Sequence, residues 1–354
     1  MYCLGKKLRF SLFGKSHGPC VGGILEGIPA GFRLDEAAVA AAMARRRPTP
    51  GIGTDRVEAD RVEFVQGLRH GVTDGTPLLM IIRNQNVRDD GRYLTFAATP
   101  RPGHADLPAL LKFPGFDIRG GGQFSGRLTA PIVAAGAVAA QLLAEDNIRI
   151  AAFCRSIGPV ADPAPRTFAE AQGSAAFASR ACNAELDREM QDCIKAARAD
   201  GDSTGGVVEC LIEGLPIGFG GIWFESLDAE LAAAVFAIPA CKGVEFGKGF
   251  AITEMRGSES NDDYRMQDGR IVTESNNMGG IVGGMADGAP VVFRAAFKPT
   301  PSIAKTQDTV NLQTAENAEL QVKGRHDPCI APRAAAVVEA VTALVIADQA
   351  ARGF

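Results

Sequence analysis

A chain of 354 residues that is 46% hydrophobic and 22% charged has the mixture of a soluble globular protein with length enough for a substantial core, which excludes disordered, collagen-like and fibrous classes. With 37 basic residues against 41 acidic ones, the formal charge of −4 gives no global attraction to nucleic acid or an anionic membrane, so any anion must be met by a local cluster. Eight cysteines without a C-x-x-C pair read as reduced thiols. No apolar leader follows Lys6, Lys7 and Arg9, and the longest uncharged run, 128–144, is interrupted by Pro131, Gly136 and Gln141. It falls short of the roughly 20 apolar residues of a membrane span, and the expectation is a cytoplasmic protein.

In chain order, "GGILEGIPAGF" (22–32) predicts a strand and turn, followed by a helix that starts at the N-cap Asp35 and stops before Pro48. Strands are expected over 60–66 and 78–83, a helix over 127–145, and another over 183–199. "GGVVECLIEGLPIGF" (205–219) then echoes the first passage, with the corners Gly27-Ile28-Pro29 and Gly214-Leu215-Pro216 in matching places and an alanine-rich helical pattern after each. A strand–turn–helix unit used twice is the reading favoured over chance similarity. Strands over 206–213 and 290–297 and a helix over 331–350 complete the pattern. The stretches 84–118 and 251–275 read as long, strand-poor loops of the kind that carry function. No low-complexity linker divides the chain, so residues 1–354 are expected to form a single domain.

Three of the four histidines, His17, His104 and His326, lie in Gly/Pro-rich loops beside other polar residues, where acid–base work near neutral pH is the favoured role. His70 lacks such companions and reads as structural. The histidines have no helical i, i+4 spacing and no ligand-pattern cysteine or carboxylate, so metal binding ranks below proton transfer. Arginines gather in the same loops: Arg45, Arg46, Arg47, Arg56, Arg101, Arg119, Arg127, Arg325 and Arg333. Guanidinium forks suit phosphate and carboxylate groups, which points to a small polyanionic ligand. Arg45–Arg47 also suit a helix C-terminus.

"RGGGQFSGR" (119–127) fits neither the G-x-G-x-x-G dinucleotide fingerprint nor a lysine-bearing phosphate loop. It reads either as a structural turn or as a glycine turn entering a helix at Ser125 to Thr129, whose free N–H groups face ligand oxygens. "FKPTPSIAKTQ" (297–307) offers short donors for a cofactor's phosphate and ring edge, and "NNMGGIVGGMADG" (276–288) permits close backbone approach to a flat ring. Together these suggest a cofactor and a polyanionic substrate.

"FGKSHG" (13–18), "RRRP" (45–48), "TDRVEADRVEFVQG" (54–67), "RPGHAD" (101–106), "RGGGQFSGRLTA" (119–130), "GDSTGGVVE" (201–209), "KGVEFGKGF" (242–250), "NNMGGIVGG" (276–284), "KPTPSI" (298–303) and "GRHDPC" (324–329) follow, in order, the motifs of the chorismate synthase family, which the chain resembles over almost its whole length. The resemblance implies an α+β fold with helices sandwiched between antiparallel sheets and an internal pseudo-two-fold repeat, assembled as a homotetramer. It implies a carbon–oxygen lyase of the shikimate pathway of aromatic amino acid biosynthesis. This enzyme eliminates phosphate from 5-enolpyruvylshikimate-3-phosphate, in the anti-1,4 sense, to give chorismate with reduced FMN as cofactor.

By the same resemblance, His104 protonates the leaving phosphate, His17 with Ser16 manages flavin protonation, Asp327 helps relay the ring proton, and Ser125 hydrogen-bonds nearby. Arg46, Arg101 and Arg127 meet the substrate. Gln123, Phe124, Ser125, Pro239, Ala240, Gly283, Lys298, Pro299, Thr300, Pro301, Ser302 and Arg325 surround the flavin. The chain departs from the family pattern at Lys15, usually glutamate, at Gln123-Phe124, usually Arg-Ser, at Leu128, usually glutamate, and at "IPACKG" (238–243), where Pro239 removes an N–H.

Overall fold

The structure, a computed structural model, describes residues 2–54, 59–85, 91–322, 324 and 326–353. The first half contains β1 (Tyr2–Leu4), β2 (Arg9–Gly14), β3 (Cys20–Glu26), α1 (Glu36–Arg46), β4 (Glu63–Gln66), the small ribbon β5 (Leu68–Arg69) and β6 (Val72–Thr73), β7 (Leu78–Arg83), α2 (Arg92–Ala98), α3 (Asp106–Lys112) and α4 (Thr129–Glu145). The second half contains β8 (Arg149–Ile157), β9 (Val160–Ala161), α5 (Phe168–Gly173), α6 (Ala184–Ala199), β10 (Gly206–Glu213), α7 (Leu227–Phe236), β11 (Cys241–Phe246), α8 (Gly257–Ser260), the hairpin β12 (Tyr264–Gln267) and β13 (Arg270–Thr273), the hairpin β14 (Ile281–Val282) and β15 (Met285–Ala286), β16 (Val291–Phe297), the hairpin β17 (Thr306–Asn311) and β18 (Glu316–Gln321), and α9 (Ala331–Arg352).

Two five-stranded sheets result, ordered β1-β2-β3-β7-β4 and β11-β16-β10-β8-β9, with all neighbours antiparallel. The duplicated passages occupy equivalent places, β3 running into α1 and β10 into α7. Their corner glycines match in conformation: Gly27 has φ +90° and Gly214 φ +92°. At each, a Cβ would collide with a backbone carbonyl, that of Lys7 and that of Asn147 respectively. Only glycine takes such a corner without strain.

Between the sheets lie α4, packed on β3 and β7, and α9, packed on β8 and β10, with the two helices against each other. They meet where Gly136 faces Ala340 so closely that a Cβ on Gly136 would overlap Ala340. One hydrophobic core spans both halves, from Val21, Leu25 and Met80 through Val138 to Phe293 and Leu344. By length and composition α9 and the segment Arg119–Glu145 could cross a membrane, but their most apolar windows are 89% and 67% buried inside the fold. Burial between sheets accounts for a helix that is apolar all round.

Local signals explain the boundaries. Asp35 caps α1 by accepting from the N–H groups of Ala37 and Ala38 at 2.8 and 3.1 Å, and the helix ends at Arg46, two residues before Pro48. The predicted helix over 127–145 begins at Thr129, after a 3-10 turn over Gly126–Leu128 that Ser125 caps. Two expected loops hold regular structure instead. The 84–118 stretch contains α2 and α3, and 251–275 contains α8 and the β12–β13 hairpin. These elements are four to seven residues long, too short to show a period in a sequence rich in Gly, Asp and Arg.

Candidate active site

A cavity of about 1000 Å³ opens where six loops converge: the β2–β3 loop, the segment before α3, the glycine turn before α4, the turn before β11, the exit of β16 and the entry to α9. Single-ligand pockets run roughly 300–1,000 Å³, and this cavity lies at the upper end of that range.

The first wall is Ser16 and His17. Gly120, Gly121 and Gly122 all have positive φ (59°, 80° and 53°), and the turn they make lies directly against this pair. A Cβ on Gly120 would overlap the His17 ring and come within 2.6 Å of Ser16 Oγ, and the Ser16 N–H donates to the Gly122 carbonyl at 3.3 Å. The triple glycine is therefore a close-approach device. His17 stands edge-on to Tyr93 with ring centroids 5.2 Å apart, and its buried Nδ1 has no hydrogen-bond partner among the described residues.

The second wall is cationic. Arg46, only 3% exposed, pairs with Asp60 and reaches Thr129 Oγ1 at 3.4 Å, its buried Nε having no partner among the described residues. Arg127 pairs with the other oxygen of Asp60 and donates from Nε to Asn84 Oδ1 at 2.9 Å. Arg333 pairs with Asp327 and donates to the Arg46 carbonyl at 3.0 Å, while Asp327 also accepts from the Thr54 N–H at 2.8 Å. Among the described residues, these three guanidiniums share the carboxylates of Asp60 and Asp327. Burial, then Arg333, pushes the Arg46 guanidinium down to about 10 against the pull of Asp60, which still leaves Arg46 charged at neutral pH in a cluster that favours an anion. Asp60 itself is buried at φ +49°, a conformation Asp tolerates better than most residues.

On the third wall, Arg101 makes a two-pronged pair with Asp106 (2.7 and 2.9 Å) and lies 4.6 Å over the Phe96 ring. His104 Nε2 is 2.6 Å from Ser302 Oγ. Burial, then Arg101, pushes the His104 imidazole down to about 3, with Asp106 opposing. The fourth wall is the strip Lys298, Thr300, Pro301 and Ser302 with Pro239 and Ala240. Thr300 Oγ1 is buried without a partner among the described residues, and Lys298 Nζ donates to the Gly103 carbonyl at 3.0 Å. Gln123, Phe124 and Ser125 close the mouth, Ser125 Oγ accepting from the Arg127 N–H at 3.3 Å.

Two expected residues stand apart. Gly283 forms the corner of the β14–β15 hairpin and does not border this cavity, and Pro299 packs beside Gly205 instead of facing it. Arg325 lies outside the described residues. His70 sits exposed in the turn of the β5–β6 ribbon, and Arg119 turns to Asp117, with contacts of 2.8 and 2.9 Å. Sequence reasoning gave no role to Asp60, Asn84, Tyr93 or Asp106. It counted Arg333 among the loop arginines without placing it at the site.

A sequence model of the chorismate synthase family matches residues 8–351. The chain belongs to the chorismate synthase family. It is 46% identical over 352 residues to the chorismate synthase of Korarchaeum cryptofilum, covering 98% of this chain and 97% of that one. To that of Aeropyrum pernix it is 49% identical over 348 residues, covering 98% and 91%. A crystal structure of chorismate synthase superposes with a TM-score of 0.78 at 30% identity, covering 98% of this chain and 92% of the other. The departures from the chorismate synthase pattern have local accounts. Lys15 pairs with Asp117 at 2.7 Å, and the same carboxylate holds Arg119. Phe124 packs against Phe116 and Phe113, with centroids 5.8 and 6.1 Å apart. Pro239 leads into Ala240, which takes φ +72°, a conformation costing roughly 1–2 kcal/mol outside glycine.

Proposed function

We propose that the protein is a chorismate synthase, a carbon–oxygen lyase that converts 5-enolpyruvylshikimate-3-phosphate to chorismate and phosphate by anti-1,4-elimination. The allylic C–O bond to phosphate breaks, a ring proton leaves, and a second ring double bond forms without net redox change. The observation that carries the reading is the arginine cluster of Arg46, Arg127 and Arg333 beside His104 and Arg101 in one cavity. A phosphate ester with two carboxylates is the ligand such a cluster would hold.

Reduced FMN fits the donor set: the buried unpaired Thr300 Oγ1 and His17 Nδ1, the glycine turn and the Lys298–Ser302 strip answer to a phosphate and a polar ring edge. Bound there, the cofactor supplies an electron-rich ring that eases loss of the allylic phosphate. The chain's own residues do the rest. Arg46, Arg101 and Arg127 orient the substrate and spread the charge of the leaving group. His104 delivers a proton to the departing phosphate oxygen. His17, with Ser16 beside it, holds a proton at the edge of the flavin. Asp327, oriented by Arg333 and the Thr54 N–H, takes part in removing the ring proton, and Ser125 offers a hydroxyl at the helix entry. Arg325, Pro299 and Gly283 keep their flavin assignments on resemblance alone.

The shared core supports residues 1–354 as one domain, and the exposed Trp223 and Phe224, 80% and 94% accessible, support self-association into a homotetramer. The net charge of −4 supports a cytoplasmic enzyme that binds neither nucleic acid nor membrane. The test is incubation with the phosphorylated enolpyruvyl substrate and chemically reduced FMN without oxygen. Phosphate and chorismate are expected in equal amounts, and failure to form either would overturn the reading.

A further inference from the structure

Asn84 follows β7 directly and does not border the cavity. Its carboxamide nevertheless touches two of the cavity's walls. Nδ2 donates to the carbonyl of Gly18 at 2.8 Å and to that of Lys15 at 3.1 Å, the two ends of the loop that carries Ser16 and His17. Oδ1 accepts from Arg127 Nε at 2.9 Å. The backbone N–H of Asn84 adds a bond to the Pro19 carbonyl at 3.1 Å. The orientation of the amide is fixed by its neighbours: carbonyls only accept and a guanidinium only donates, so one arrangement satisfies all three contacts.

We infer that Asn84 is a positioning residue that locks the His17 loop to the anion-binding guanidinium of Arg127, so that substrate grip and flavin-side geometry are set by one side chain. The chain of contacts continues from Arg127 to Asp60, from Asp60 to Arg46 and from Arg46 to Thr129 at the start of α4. Aspartate at position 84 would lose the donor to both carbonyls, and leucine would lose donor and acceptor at similar volume. With Nε no longer held, Arg127 keeps its pair with Asp60 and its bond to the Arg83 carbonyl at 3.3 Å but loses the contact that ties it to the His17 loop, which loosens the fork presented to the substrate.

This inference rests on the chorismate synthase reading, and the experiment separates the two. Asn84→Leu and Asn84→Ala are assayed in the wild-type and Arg127→Ala backgrounds with reduced FMN, alongside thermal unfolding of each variant. A side chain that only stabilised the fold would lower the active fraction, hence kcat, and leave KM for the substrate unchanged. The expected result is a KM raised at least tenfold together with a lower kcat in each single variant of Asn84, and less than a twofold further rise in KM when Asn84→Leu is added to Arg127→Ala. An unchanged KM in folded Asn84→Leu and Asn84→Ala, or the same fold-rise in both backgrounds, overturns the inference. Absence of chorismate from the unmodified protein overturns the functional reading instead.

Discussion

His104 is a neutral imidazole at neutral pH in the free protein, because burial and the neighbouring Arg101 push it to about 3. An imidazole in that state cannot act as the acid for phosphate departure until the field around it changes. An arriving phosphate ester changes it by adding negative charge beside Arg101 and Lys298, which favours the imidazolium. Substrate binding at pH 7 should therefore draw up to about one proton from solution. Binding heats measured in buffers of different ionisation enthalpy read that number directly. Uptake that disappears in His104→Asn is the expected outcome, and no uptake by the unmodified protein would remove His104 from the role of acid. His17, His104, Arg46, Arg101 and Arg127 could be singled out in the sequence because they stand in motifs that match those of the chorismate synthase family. Asp60 and Asn84 were not, since their function lies in what they touch. Asp60 sits 67 positions from its partner Arg127 and Asn84 sits 43, separations that only the tertiary fold closes.

At the level of elements, the crossing of α4 and α9 fixes where the arginines of the two halves meet, because Arg127 and Thr129 stand at the start of α4 and Arg333 in the first turn of α9. Gly136 sets that crossing. Alanine would gain about 1 kcal/mol in helix propensity, but its Cβ would overlap the Ala340 backbone, and overpacking costs about 1–3 kcal/mol where the neighbour cannot yield. The backbone of a 22-residue buried helix yields little, so the clash wins. Gly136→Ala should lower the urea midpoint of unfolding with an unchanged m-value, and a midpoint at or above that of the parent would contradict this packing account. The duplicated strand–turn–helix unit was readable from sequence because Gly27 and Gly214 mark corners only glycine takes easily. The short helices α2 and α3 were missed because seven residues span barely two turns and their placement is settled by packing.

Across the whole molecule, a net charge of −4 coexists with a cavity whose described lining carries Arg46, Arg101, Arg127, Arg333 and Lys298 against Asp60, Asp106 and Asp327. The surface is thus unremarkable to a polyanion, and the cavity is not. The pseudo-two-fold arrangement brings each half's central helix to the same mouth, so the anion site draws on both halves while Ser302 and Thr300 come from the exit of β16 and His17 from the β2–β3 loop. Such a site suits the proposed elimination, in which charge leaves as phosphate without net redox change. Counting product against reductant tests this most directly. With substrate in large excess over chemically reduced FMN and oxygen excluded, many molecules of chorismate should form per flavin while the flavin stays reduced. One reductant consumed per chorismate formed would contradict the account and make the protein an oxidoreductase.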